Sequence, residues 1–167
     1  LPHLKDKFPD YASYSTASIF EILSSRQIQN SKQFEAHTFA STVFANTGNG
    51  TFEALPLPPE AQIAPVFDLM VDHFYGNETP DILAAGNNFG MRPEFGPMAG
   101  QGILLKGSDD LGFIPEKSRD TGFYAVGEVR KIELVPTQTG PIILLGRYND
   151  SIVPYLYRFP DPVTDNL

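Results

Sequence analysis

Val66-Phe67-Asp68-Leu69-Met70-Val71 is an apolar run that leads into Asp72-His73-Phe74-Tyr75-Gly76-Asn77-Glu78-Thr79-Pro80-Asp81. A second run, Ile82-Leu83-Ala84-Ala85, stops at Gly86-Asn87-Asn88. A third, Ile103-Leu104-Leu105, stops at Lys106-Gly107-Ser108-Asp109-Asp110, and Gly112-Phe113-Ile114 opens a fourth. Strands this short, each closed by turn residues, predict an antiparallel stack of hairpins. The fold class expected is therefore mainly β, built from antiparallel four-stranded sheets.

The same grammar continues on both sides. Val129-Arg130-Lys131-Ile132-Glu133-Leu134-Val135 reads as a strand, Pro136 to Gly140 as a turn, and Pro141-Ile142-Ile143-Leu144-Leu145 as a buried strand. A turn over Arg147 to Ser151 leads to Ile152-Val153-Pro154-Tyr155-Leu156, where Pro154 predicts an edge position. Upstream, alternation through Phe39, Ser41, Val43 and Ala45 predicts a strand. Asn46-Thr47-Gly48-Asn49-Gly50 turns it back into Thr51–Leu55, until Pro56, Pro58 and Pro59 stop it. Residues 1–37 differ: Ser15 to Leu23 patterns as a helix capped by Ser15 or Thr16, with a second short helix over Ser25–Ser31. The organisation expected is a helical insert over 1–37 and a β region over 38–167, with sheets near 61–115 and 123–160.

Bulk composition narrows the function classes. The chain has 167 residues, enough for one domain with a real core, and a net charge of −8. No lysine or arginine cluster offers a face to phosphates, so nucleic acid is not an expected partner. There is no cysteine, which removes disulfides, thiolate metal sites and cysteine nucleophiles together. No apolar run approaches the roughly 18 residues of a membrane span. A start at Leu1, without Met, is read as a piece of a longer chain.

Two copies of a pattern are visible. Asp81-Ile-Leu-Ala-Ala-Gly-Asn-Asn parallels Pro141-Ile-Ile-Leu-Leu-Gly-Arg-Tyr-Asn, and Asn46-x-Gly48-x-Gly50-x-Phe52 recurs loosely before Phe113. Thr47-Gly48-Asn49-Gly50-Thr51-Phe52, followed by Val71-Asp72-x-Phe74-x-Gly76 and by Asp81-Ile82-Leu83-x-Ala85-Gly86-Asn87-Asn88, resembles the FG-GAP/VCBS repeat proteins. More narrowly, it is similar to the large secreted bacterial members related to cartilage acidic protein, over about Phe34 to Phe159. That resemblance implies about two β-propeller blades from the C-terminal part of a longer chain. It also implies export to the periplasm, the cell surface or the exterior. It further implies a calcium loop of the form D-x-D-x-D-G-x-x-D; the corresponding positions here read His73, Tyr75, Asn77, Glu78 and Asp81. What survives is a weak, degenerate loop at Asp72, Asn77 and Asp81, and calcium normally takes six to eight oxygens. No other cofactor is expected.

His3, His37 and His73 share no ligand spacing. There is no G-x-S-x-G, P-loop or G-x-G-x-x-G. Glu94, Asp109 and Asp110 are the loop carboxylates on which a carbohydrate-active hydrolase would depend. Asn49, Asn77 and Asn149 each open an N-glycosylation pattern in a predicted turn. Residues 88–101 read as a surface loop, where binding residues concentrate. The reading is a non-enzymatic recognition or scaffold module for a protein or glycan, contacting its ligand through Asn87, Asn88, Arg92, Phe95 and Tyr148. Open sheet edges predict a homo-oligomer.

Overall fold

The structure is a computed structural model that describes residues 2–90 and 100–156. Two compact units divide the chain, residues 1–39 and residues 40–167.

In the first unit four short helices follow one another: α1 (Pro2–Lys7), α2 (Tyr11–Ser15), α3 (Ile19–Ile22) and α4 (Ser25–Gln29). Local capping sets their limits. Asp10 Oδ1 accepts from the Ser13 amide at 2.7 Å and starts α2. The predicted helix over residues 15–23 shrinks to α3, because Ser18 rather than Ser15 or Thr16 closes a capping box. There the Ser18 amide donates to Glu21 Oε2 at 2.7 Å. Ser24 and Gln27 repeat the device for α4. None of α2, α3 or α4 carries a buried residue.

The second unit is mainly β; its described residues form nine strands in three antiparallel sheets. β1 (Thr42–Asn46) and β2 (Phe52–Pro56) form the hairpin expected around Gly48 and Gly50, both at positive φ. A 3₁₀ turn follows at Pro59–Gln62, and the Gln62 amide group donates to the carbonyls of Ser41 and Leu57 at 3.0 Å each. β3 (Val66–Asp72), β4 (Asp81–Gly86), β5 (Ile103–Gly107) and β6 (Phe113–Glu116) make a four-stranded meander. After α5 (Ser118–Thr121) the chain builds β7 (Val129–Val135), β8 (Ile142–Arg147) and β9 (Val153–Leu156) in sequential order.

β4 is the centre of the core, buried along its whole length. Period-two alternation sends its side chains to opposite faces. Leu83 and Ala85 join Leu104, Phe123, Ile132, Ile143 and Leu145 against the second sheet. Ile82 and Ala84 join Leu105 and Ala61, with Val43 and Leu57 packed against them from the other side. Each fully buried leucine there contributes about 1.5–3 kcal/mol relative to exposure. Close approach fixes Gly86: a Cβ would stand 1.9 Å from the Pro65 carbonyl oxygen.

Both long strands carry a bulge near their start. The β3–β4 register slips between Val66 and Asp68, and the β7–β8 register slips between Val129 and Lys131. Phe67 and Arg130 are the extra residues. Between the bulges the two sheets are tied directly. Asp68 Oδ2 accepts from the Ile132 amide at 2.7 Å and lies 3.0 Å from Lys131 Nζ.

Pro154 lies, as the sequence suggested, on a strand that among the described residues pairs only with β8. Pro115 occupies the matching place in β6, which among the described residues pairs only with β5. A residue without an N–H removes a ladder donor, so both outermost strands are blunted against further pairing.

Candidate functional site

The loop from His73 to Pro80 and its neighbours hold the three residues of the expected calcium loop. Asp81 is fully buried, and its carboxylate joins two distant backbone segments. Oδ1 accepts from the Gly107 amide at 2.9 Å, and Oδ2 accepts from the Tyr75 amide at 3.1 Å. Gly107 has to be glycine for that approach, since a Cβ would stand 2.3 Å from the Pro80 carbonyl oxygen. Asp72 pairs with Asp81 across the hairpin, and its Oδ1 accepts from the His73 amide at 2.8 Å. Asn77 Nδ2 donates to Thr79 Oγ1 at 2.7 Å, and Thr79 Oγ1 donates to the Gly107 carbonyl at 3.1 Å. Asn77 Oδ1 is buried without a hydrogen-bond partner.

This donor set falls short of a calcium site. Asp81, its buried carboxylate, spends both oxygens on amides, and one orphaned amide oxygen does not approach the six to eight that the ion takes. Among the described residues no three His, Cys, Asp or Glu side chains gather as metal ligands. Asp72, Asn77 and Asp81 are better described as the fastening of a tight loop.

A different cluster forms where four strand ends meet: the start of β3, the end of β4, the start of β7 and the end of β8. Asn87 follows β4 with φ at +142°, a conformation that a non-glycine residue adopts only when held. It is held: Nδ2 donates to the Gly100 carbonyl at 2.9 Å, and Oδ1 accepts from the Asn88 amide at 3.0 Å. Asn87 is buried, and its side chain shapes the loop. Asn88, half-buried, bonds the Gly90 amide through Oδ1 at 2.9 Å. Arg92 and Phe95, also expected to bind, lie outside the described residues, as does Glu94.

Beside this turn lies Glu128, only 8% exposed. Its Oε1 accepts a short hydrogen bond from the Phe89 amide, and its Oε2 stands 3.5 Å from Arg130 Nη2. The bulge turns the Arg130 guanidinium onto the ring of Phe67, with Cζ 3.8 Å from the ring centroid. Tyr148 stands nearby, its centroid 5.8 Å from Cζ. The aromatic rings remain open to solvent: Tyr148 is 67% exposed, Phe89 48% and Phe67 44%. Tyr148 is positioned by its amide, which donates to the Glu128 carbonyl at 2.8 Å. The next cation, Arg147, is spent locally, on Asp150 at 2.9 Å and on the Ser151 carbonyl at 2.9 Å.

Asn88 and Tyr148 were expected here from the sequence; Phe67, Phe89, Glu128 and Arg130 were not. One signal was present: Arg130-Lys131, two polar residues in succession, breaks the alternation of β7 between buried Val129 and buried Ile132.

Two hollows adjoin these elements. A cleft of about 370 Å³ is lined by Ala61, Val66, Ala85, Gly86, Gly100 and Lys117, among others. A groove of about 440 Å³ between the two larger sheets is lined by Phe74, Tyr75, Phe123, Ile143 and Tyr155, with Asp120 at its margin. Burial raises the Tyr75 phenol above its ordinary pKa, helped by the nearby Glu116, Asp81 and Asp120 carboxyls.

The carboxylates considered for hydrolysis are placed differently. Asp110 Oδ1 accepts from Ser108 Oγ at 2.5 Å and from the Gly112 amide at 3.1 Å, closing the β5–β6 turn. Those bonds, the Ser108 hydroxyl first, hold its carboxyl below the usual range, the opposite of what a general acid needs. Asp109 beside it is exposed. His73 Nδ1 lies 2.8 Å from the Asn77 carbonyl oxygen, inside the tight loop, while His37 is exposed beside Glu35 at 3.2 Å.

No protein-family model matches the chain significantly, nor does any curated protein or solved structure.

Proposed function

We propose that the chain is a non-enzymatic β-propeller fragment of FG-GAP/VCBS type, acting as an extracellular or cell-surface recognition or scaffold module for a protein or glycan. Two features of the fold support the blade assignment. The β3–β6 sheet is a sequential antiparallel meander, and its first strand lies beside the first strand of the next sheet through Asp68. β-Propellers repeat such sheets around an axis.

The observation that carries the recognition role is the group of exposed aromatic rings at the strand ends. Phe67, Phe89 and Tyr148 are presented on a base of paired strands and hydrogen-bonded turns, so little ordering entropy is spent on contact. Large side chains held open to water on a rigid base mark contact surfaces. Asn88 adds polar atoms at the rim.

The test is a panel of extracellular proteins and glycans presented to the immobilised chain, with Asn88→Ala and Tyr148→Ala beside the parent. Ligands found on the panel should lose at least about tenfold in affinity with Tyr148→Ala. Unchanged binding of every ligand by both variants sinks the assignment of this surface.

A further inference from the structure

We infer that the strand-end cluster is a subsite for the carboxylate of an acidic sugar, with Arg130 as the residue that selects it. The inference rests on the recognition reading and gives that surface a ligand class.

The guanidinium is unusually well fixed for an exposed cation. A bulge aims it, the Phe67 ring supports one face at 3.8 Å, and Glu128 Oε2 approaches one nitrogen, Nη2, at 3.5 Å. Glu128 is itself anchored by the Phe89 amide, so it holds the group from the protein side. Arginine carries five N–H donors in a planar fork, and no hydrogen bond from Arg130 meets a partner among the described residues. A rigid, planar, largely unspent fork fits a carboxylate edge-on through two parallel bonds.

The surroundings choose among carboxylates. The largely exposed Tyr148 ring lies beside the fork, its centroid 5.8 Å from Cζ, and the half-exposed Phe89 is the residue whose amide anchors Glu128; exposed aromatic faces stack on the C–H side of a pyranose ring. A sugar carrying one carboxylate can satisfy both features at once. The chain's charge of −8 repels dense polyanions at long range, which disfavours heavily sulfated or phosphorylated polymers. An acidic sugar with one carboxylate per ring is the class that remains, and a hexuronic acid is its simplest member.

The probe is tetragalacturonate, compared with the same oligomer after its carboxyl groups are reduced to alcohols. Binding to the full chain is read by calorimetry, with tyrosine emission as a second readout since the chain has no tryptophan. The acidic oligomer should bind roughly tenfold to a hundredfold tighter than its reduced form, the span of one charge-assisted contact. Arg130→Gln should abolish that ratio, Arg130→Lys should restore only part of it, and Tyr148→Ala should weaken both oligomers alike. Circular dichroism and urea midpoints identify variants that fail to fold. A cation that merely buttressed the sheets would shift the midpoint and leave the acid-to-neutral ratio untouched.

Equal binding of the two oligomers, an Arg130→Gln variant that keeps the preference, or no binding of tetragalacturonate would each overturn the inference. If a neutral glycan or a protein from the panel still binds in a Tyr148-dependent way, the recognition reading stands while the acid specificity falls. If nothing binds through Tyr148, both fall.

Discussion

Replacing Asp81 by asparagine isolates the physical role of one buried carboxylate. The aspartate receives two backbone N–H bonds, from Gly107 at 2.9 Å and Tyr75 at 3.1 Å. Asparagine keeps one acceptor oxygen and turns an NH₂ toward the other amide. One charge-assisted bond is lost, worth about 1.5–3 kcal/mol, and a buried donor is stranded at a further cost of about 1–3 kcal/mol. Part of this is offset, because the variant no longer keeps a charge out of water. The net expectation is a loss of about 2–4 kcal/mol. In a chain of this size that lowers the melting temperature by roughly 10 °C. Urea unfolding followed by far-ultraviolet circular dichroism measures it, in calcium and in chelator. The loss should be the same in both. An unchanged or raised midpoint in Asp81→Asn would refute the loop-fastening role. A calcium-induced rise in the parent that disappears in the variant would show that the carboxylate serves an ion instead.

Burial by itself raises the Asp68 pKa, but hydrogen bonds from the Ile132 amide, Lys131 and the Leu69 amide outweigh it and leave the group below its ordinary value of 3.8. A depressed folded pKa gives stability that is present above the unfolded value and lost as pH falls through the folded one. Urea midpoints should therefore drop below about pH 4, and Asp68→Asn should flatten that acid limb; an identical limb in both proteins counts against the tie between β3 and β7. Gly86→Ala forces a methyl group against the Pro65 backbone and should cost about 3 kcal/mol, the upper end for overpacking, so a neutral result in thermal melting would contradict the tight approach. Pro154→Val returns an N–H to the outermost strand and should shift sedimentation toward larger species, whereas an unchanged profile would mean that Pro154 does not guard the edge.

Strand identity was legible because it is local. Alternation and turn residues marked β3 through β9, and Pro154 announced the edge, since each of those signals sits within a few residues. Helix limits were less legible: Ser15, Thr16 and Ser18 are all competent caps, and only Glu21, three residues beyond Ser18, decides among them. The α5 turn at Ser118–Thr121 and the 3₁₀ turn at Pro59–Gln62 carry too few residues for any periodicity to appear. The strand-end cluster was the least legible. Phe67 and Arg130 acquire a common chemistry only because two bulges, each a property of a strand pair rather than of one strand, turn them toward each other. The burial of Asn87 was illegible for the converse reason, since a turn asparagine gives no sign of being buried until the Gly100 carbonyl is seen beside it.

The two-sided burial of β4 has a consequence for biosynthesis. One of its faces is covered by the early hairpin and the 3₁₀ turn, but the other waits for β7 and β8. Asp68 and its partner Ile132 are 64 residues apart. At ribosomal speeds of 5–20 residues per second, the 62 residues from Leu83 to Leu145 take roughly 3–12 seconds, during which Leu83 and Ala85 stay uncovered. During that interval the nascent chain presents an oily half-made wall, and chaperone occupancy on ribosome-arrested intermediates should peak there and collapse once Leu145 has left the exit tunnel.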